Sequence, residues 1–343
     1  MRAGIYYVGT AAAAYLGAVV GAGLLSGRES AQFFLPFGSL GLGGAITTVV
    51  IFSFAGGYLL NLARSSEALS RLALVQTILS SFLFLVTAIM IAGAASLLTS
   101  TYGLHPRVGA LLLTVATGLI LLTGRKGFLQ ANAAMVAILL SIIFGIIWKH
   151  RLQAPSAGYM EAIVWGLTPR HWLLSALIYA GYNVALALPL LLAVGTSLRS
   201  AAEAWWSGVI GGVTMGLVIC LITSALARYA AQALTEPIPM LLVVNNVGGW
   251  AHSAYIVGML LALLTTAVSS IYALSHRLCT TTPLLEKWVG VGFVFLALPF
   301  STFGFMELVR TIYPLFGYLA CLTLCVFLCR TAPKFVEFCR TGT

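Results

Sequence analysis

Gly17-Ala18-Val19-Val20-Gly21-Ala22-Gly23-Leu24-Leu25-Ser26-Gly27-Arg28-Glu29 interrupts an apolar segment running from about Ile5 to Phe34. The segment is long enough to cross a bilayer core, which takes about 20 helical residues. Its four glycines each cost a helix about 1 kcal/mol relative to alanine. In hydrocarbon, backbone groups freed by a break must be satisfied by protein, water or a ligand. Two readings are open at this point. The span is broken to present backbone to a cargo, or Gly17 and Gly21 form a small-residue face for close helix packing.

Hydrophobic residues make up 60% of the 343-residue chain and charged residues only 8%. Soluble domains carry about 25% charged residues, so this is an integral membrane protein. The expected spans use up the chain and leave no room for a separate soluble domain. The formal charge of +10 does not point to nucleic acid, because Lys and Arg are scattered at span ends, where they anchor to headgroups and set topology. No removable signal peptide is expected, since the first apolar stretch runs well past a usual h-region.

Apolar runs bounded by charge, Gly and Pro predict ten spans, at about 5–35, 37–62, 72–99, 107–124, 126–149, 171–198, 204–228, 252–277, 287–302 and 305–330. Eleven Lys and Arg fall on the side of the N-terminus against seven on the other, which predicts a multi-pass cell-membrane protein with both termini cytoplasmic. The loops at about 150–170 and 229–251 then lie outside. In the second, Glu236-Pro237-Ile238-Pro239 and the apolar Met240 to Val244 read as a short helix over the outer mouth or as an interfacial segment.

Spans 1 and 6 are both long and both interrupted. In span 6 the expected interruption is Tyr179-Ala180-Gly181-Tyr182-Asn183, with Pro189 beyond it. An odd number of spans per half forces the two halves to be inverted. Interrupted helices at corresponding positions of two halves point to a transporter binding site. The expected organisation is a first five-span repeat over 1–149, an outer loop over 150–170, a second five-span repeat over 171–330 and a cytoplasmic tail over 331–343.

On these residues the sequence resembles the amino acid–polyamine–organocation superfamily, with its LeuT-like five-plus-five inverted-repeat fold. Val20-Gly21-Ala22-Gly23-Leu24-Leu25-Ser26-Gly27-Arg28-Glu29, followed by Gln32-Phe33-Phe34, is similar to the signature of its YkvI-like bacterial branch. The resemblance implies an all-α protein of ten transmembrane helices with broken spans 1 and 6. It matches Gly17 to Val20 to the unwound turn of span 1 and Gly21-Ala22-Gly23 to the start of its outer half. The substrate residues it implies are Gly21, Ala22, Gly23, Ser26, Tyr179, Ala180, Gly181, Tyr182 and Asn183. Asn183 both donates and accepts, which suits either a cargo head group or the freed backbone.

In span 8, Thr266, Ser269 and Ser270 stand at i, i+3 and i+4 and share one helix face. The LeuT-like sodium site pairs this spacing with carbonyls of the span 1 turn, here Gly17 and Val20. The competing reading is hydroxyls bonded to their own helix four residues back. Ala18 stands where relatives with a second sodium carry a polar residue, so one ion is expected. Arg28 and Glu29 near the outer end of span 1 are coupling or gate candidates, because intramembrane charge is costly. Glu29 reads as a proton-coupling carboxylate, as half of a gate or as a solvated helix end. Glu307 and Arg310 are expected to pair with each other.

Nothing catalytic assembles, and no cofactor beyond a sodium ion is expected. The five His residues lie in loops or at span ends without ligand spacing, and the six Cys residues form no CxxC pair. Cys321, Cys325 and Cys329 line one helix face and read as small packing residues. Gly23 to Gly27 is no nucleotide fingerprint outside a βαβ unit. The expectation is a secondary transporter of an amino acid or similar small zwitterion, working by alternating access with sodium first and proton second. Its partners are the lipid bilayer and a small-molecule solute, with no nucleic acid. The alternatives are a transporter of a metal or inorganic ion in the same fold, and a non-transporting receptor or partner subunit.

Overall fold

Span 1 breaks at its glycines. In a computed structural model of the chain, which describes residues 2–65, 73–123, 138–150, 167–279 and 282–341, helix α1 (Arg2–Val19) stops before Gly21. The chain resumes as α2 (Ala22–Leu25) and, after Gly27, as α3 (Arg28–Phe33). Gly27 adopts φ 75°, a left-handed conformation that costs a side-chain-bearing residue about 1 kcal/mol or more. The outer part of span 1 is therefore two short helices rather than one half-helix. The turn lies at Val20–Gly21, while Gly17 stays inside α1.

The other helices follow the predicted spans closely. They are α4 (Gly38–Ser65), α5 (Ala73–Tyr102), α6 (Pro106–Thr123), α7 (Ile138–His150), α8 (Trp172–Gly195) and α9 (Ala201–Leu226). Then come α10 (Ala230–Thr235), α11 (Met240–Val247), α12 (Trp250–Leu278), α13 (Pro283–Ala297) and α14 (Phe305–Thr341). Among the described residues, seven helices are long and apolar enough to cross a membrane. Shorter apolar helices, Tyr7–Val19, Pro106–Leu122 and Ile138–His150, fall in the predicted spans 1, 4 and 5. The predicted tail is a helical continuation of span 10, since α14 runs to Thr341. Cys325 and Cys329 of the cysteine stripe, and the loop over 151–166, lie outside the residues described in full.

Span 6 is not broken where the sequence reading placed the interruption. Helix α8 runs unbroken through Tyr179 to Asn183, with Pro189 also inside it. The physical reason is that Gly181 is a packing glycine. A Cβ there would come within 2.8 Å of Cys321 Sγ and 3.0 Å of Gly317 O. Gly181 and Gly317 thus let α8 and α14 cross closely, the small-residue contact that membrane helices favour. Asn183 does not stabilise freed backbone either, because its side-chain amide donates to Tyr179 O of the same helix at 3.0 Å.

The packing divides the helices into two groups. Helices α1, α4, α8 and α9 pack on one another, while α5, α6, α12 and α13 form the second set. Helix α14 lies against α8 and α5 and so touches both sets. The α4–α9 seam is glycine-built: Gly208, Gly212 and Gly216 stand one turn apart, and a Cβ on them would overlap Gly57, Ser53 and Val49 respectively. These two sets correspond to the predicted spans 1, 2, 6 and 7 and to the predicted spans 3, 4, 8 and 9. The broken segment of span 1 lies between them, with α2 in contact with α12.

Candidate functional site

A break in a membrane helix is tolerable only if its polar backbone is accounted for, and that accounting outlines the site. Gly21 N–H donates to Val19 O at 2.7 Å instead of continuing the helical ladder to Gly17 O. Val20 O accepts no backbone hydrogen bond among the described residues. Further along, Ser26 Oγ donates to Gly23 O at 2.6 Å and accepts from Arg28 N at 3.1 Å. Leu25 O accepts from the Tyr255 hydroxyl of α12 at 3.0 Å, and Ser26 O from Met240 N of α11 at 2.9 Å. The second half of the break is satisfied by protein, and the first half leaves carbonyls open.

Glu29 is buried among other helices, not set at a solvated helix end. It is 4% exposed, and its position on α3 turns it back toward the break. A Cβ on Gly23 would overlap Glu29 Oε1, and the Tyr313 hydroxyl lies 3.1 Å from the same point. Glu29 Oε2 accepts from the Tyr179 hydroxyl at 3.0 Å. The Tyr182 hydroxyl is buried beside the same carboxylate but makes no hydrogen bond of good geometry. Three tyrosines, two from α8 and one from α14, therefore surround one carboxylate. Glu29 is thus a buried carboxyl group in the core of the packed helices.

Aromatic rings close the space around it. Phe33 lies 5.5 Å from Tyr179 and 5.7 Å from Tyr182 between ring centroids. Tyr182 stacks on Tyr313 at 4.5 Å, and Phe82 stacks on Phe316 at 4.6 Å. Tyr313, Phe33, Phe82 and Phe316 did not enter the predicted site. Their partners come from helices distant in sequence, and the one signal in span 10 was the aromatic pair Tyr313 and Phe316 one turn apart.

Arg28 faces the opposite way from Glu29. Its guanidinium Nη1 donates to Ala233 O at 3.3 Å, Leu234 O at 2.8 Å and Glu236 O at 3.2 Å. These carbonyls end α10, where a cation complements the helix dipole. Arg28 thus ties span 1 to the α10–α11 segment, which forms the short helix expected after Pro239. Glu307 and Arg310 pair as expected, at 3.6 Å on an exposed face.

Of the other predicted substrate residues, Gly21, Ala22, Gly23 and Ser26 lie along the break, and Tyr179 and Tyr182 face Glu29. Ala180 is buried, Gly181 faces α14, and Asn183 is spent on its own helix. Asn183→Ala is therefore expected to leave cargo affinity within about twofold and to cost about 1 kcal/mol of stability. A ligand titration beside a thermal melt checks this; a tenfold loss of affinity at unchanged melting temperature would return Asn183 to the site.

Of the sodium set, Thr266 faces the break directly. Its Oγ1 lies 3.2 Å from where a Cβ on Gly21 would stand. Ser270 is buried. Ser269 Oγ donates to Thr265 O at 2.7 Å, the own-helix bond that was the competing reading. A hydroxyl that donates its proton keeps its lone pairs, so this bond leaves Ser269 able to face a cation. No cluster of His, Cys, Asp and Glu able to hold a metal occurs among the described residues.

No family model matches the chain. Over 337 residues it is 29% identical to the uncharacterized membrane protein YkvI of Bacillus subtilis, covering 93% of this chain and 95% of YkvI. Among solved structures it resembles MhsT in complex with L-phenylalanine, with a TM-score of 0.61 and 16% identity over 91% of this chain and 88% of MhsT. The chain is similar to YkvI over nearly its whole length and has a LeuT-like fold. A second structure, a substrate-bound, outward-open Na+-coupled sialic acid symporter, agrees with a TM-score of 0.56 and 15% identity over 92% of this chain and 76% of the symporter. The resemblance drawn from the glycines of span 1 is thus met by whole-chain likeness.

Proposed function

We propose that this chain is a secondary active transporter that moves a small amine-bearing solute, an amino acid or a similar molecule, by alternating access. The observation that carries it is the position of the break. The unwound turn at Val20–Gly21 and the buried Glu29 lie where the α1/α4/α8/α9 set meets the α5/α6/α12/α13 set. A site on such a seam changes its access when one set rocks against the other. The bound L-phenylalanine of MhsT supports an organic solute, and the Na+-coupled symporter supports sodium as the driving ion. In this proposal ten spans form two inverted halves, 1–149 and 171–330, in the cell membrane with both termini cytoplasmic. Sodium lies between the Gly17 and Val20 carbonyls and the Thr266, Ser269 and Ser270 hydroxyls. No catalytic step is assigned.

The test is flux. Purified full-length protein in proteoliposomes, with sodium outside, is offered radiolabelled amino acids and their decarboxylated amines one at a time. At least one solute is expected to accumulate above equilibrium and to leak back when the sodium gradient is collapsed. Saturable binding without flux under any sodium, proton or potassium gradient would make the protein a receptor instead.

A further inference from the structure

Three helices end or begin together at one corner of the second helix set. Helix α6 finishes at Thr123, α12 at Leu278, and α13 starts at Pro283. They pack on one another, so closely that a Cβ on Gly290 of α13 would touch Ile271 and Ser275 of α12 and Leu121 of α6. Arg277 stands in the last turn of α12. Its guanidinium Nη1 is closed off from solvent and has no hydrogen-bond partner. Among the described residues no carboxylate lies within ion-pair distance of Arg277, and Glu286, the described acid of this corner, takes His276 at 3.2 Å. Lys287, next along α13, donates to the open Leu122 carbonyl near the end of α6 at 2.8 Å. Neither cation meets an anion among the described residues.

The negative end of α12 accounts for a cation at this position. It does not account for a charged donor shut away from water without an acceptor, which is costly and calls for an acceptor from outside the chain. The surface beside Arg277 says where that acceptor comes from. Leu278 is 56% exposed, Leu284 66% and Trp288 58%. Exposed leucines on a membrane protein face acyl chains, and Trp collects at the depth of the headgroups. Arg277 and Lys287 therefore lie at the level of lipid phosphates. Arginine holds a phosphate through its planar fork of donors, and lysine adds a point charge. With Glu286 already paired, the corner keeps a surplus of positive charge, which favours an anionic headgroup over a zwitterionic one.

The geometry points to a phospholipid site at this corner: an anionic lipid whose phosphate is held by Arg277 and Lys287 and whose acyl chains lie over Leu278, Leu284 and Trp288. The bound lipid ties the end of α12 to α13 and α6 and so stabilises the second helix set. The inference does not depend on the transport reading, because it concerns the lipid-facing surface of that set and not the break in span 1.

The experiment titrates the purified full-length protein in detergent with dioleoyl phosphatidylglycerol, with the matching phosphatidylcholine and with inorganic phosphate. Thermal melts read the stabilisation, and native mass spectrometry counts the lipid retained. Phosphatidylglycerol is expected to raise the melting temperature, and to do so at a concentration lower than phosphatidylcholine by about fivefold or more. Inorganic phosphate, which lacks the acyl chains, should not stabilise. Arg277→Ala should weaken phosphatidylglycerol by about fivefold or more and abolish its advantage over phosphatidylcholine. Lys287→Ala should act in the same direction, and it decides the matter where Arg277→Ala fails to fold. Arg64→Ala is the control, since Arg64 is an exposed cation beside Asn61 at the end of α4, and it should leave the lipid response unchanged. Equal affinity for phosphatidylcholine, no stabilisation by either lipid, or unchanged phosphatidylglycerol affinity in the site variant overturns the inference. Equal stabilisation by inorganic phosphate would make the corner a free-anion site, and an equal loss in Arg64→Ala would reduce it to diffuse surface charge; either result overturns it too.

Discussion

Gly23→Leu is expected to remove the proposed gradient-driven uptake and to lower cargo affinity by up to about a hundredfold, the equivalent of the 1–3 kcal/mol that overpacking costs. Gly23 is buried in α2, and the space where its Cβ would stand is filled by Glu29 Oε1 with the Tyr313 hydroxyl beside it. A leucine must push the carboxylate away from the tyrosines or push α14 away from the break. Either movement disassembles the Glu29–tyrosine constellation that joins span 1, α8 and α14. The protein is still expected to insert and to purify as a single species, because α2 is a short segment between two large helix sets. Gly292→Leu is the control, since nothing lies within 4 Å of its added Cβ. Uptake is measured in proteoliposomes and affinity by titration. Wild-type values for both in Gly23→Leu would take this stretch out of the site.

The same glycines show why part of the molecule was legible. A run of glycines inside a span long enough to cross a bilayer conflicts with helix propensity, and the conflict was visible without partners. It located the break to within a few residues. Gly181 raised the same suspicion in span 6 and meant something else, because its reason is Gly317 and Cys321 on α14. Packing glycines and breaking glycines look alike until the neighbour is known. Asn183 illustrates the same limit, since its own-helix bond to Tyr179 O leaves no mark in composition. Tyr179 and Tyr182 were named as part of an unwound turn, yet they matter as hydroxyls one turn apart on an intact helix. Glu29 was noticed as a charge in an apolar span. Its burial depends on Tyr179 and Tyr313, which are 150 and 284 positions further along the chain. No local pattern states which helices will group into the two sets.

Thr266→Val is expected to reduce sodium stimulation of cargo binding about tenfold or more while changing cargo affinity at saturating sodium much less. The substitution keeps the shape and replaces an oxygen with a methyl group. Thr266 Oγ1 faces the Gly21 turn at close range, where Val20 O has no backbone donor and the ladder bond from Gly21 to Gly17 is not made. Neutral oxygens of this kind replace the hydration shell of a small hard cation. They offer a proton no group that titrates near neutrality. A sodium ion there fastens span 1, in one helix set, to α12 in the other. On the proposed function it would bias the equilibrium between the two helix sets and tighten cargo binding, and by linkage the cargo would tighten sodium to the same degree. Ser270→Ala should act in the same direction, since Ser270 is buried on the same helix face. Titration of sodium at fixed cargo, and of cargo at fixed sodium, measures the coupling from both ends. Equal sodium dependence in wild type and Thr266→Val would remove sodium from this position. Uptake that follows a proton gradient, ignores sodium and disappears in Glu29→Gln would move the coupling to the carboxylate between the tyrosines.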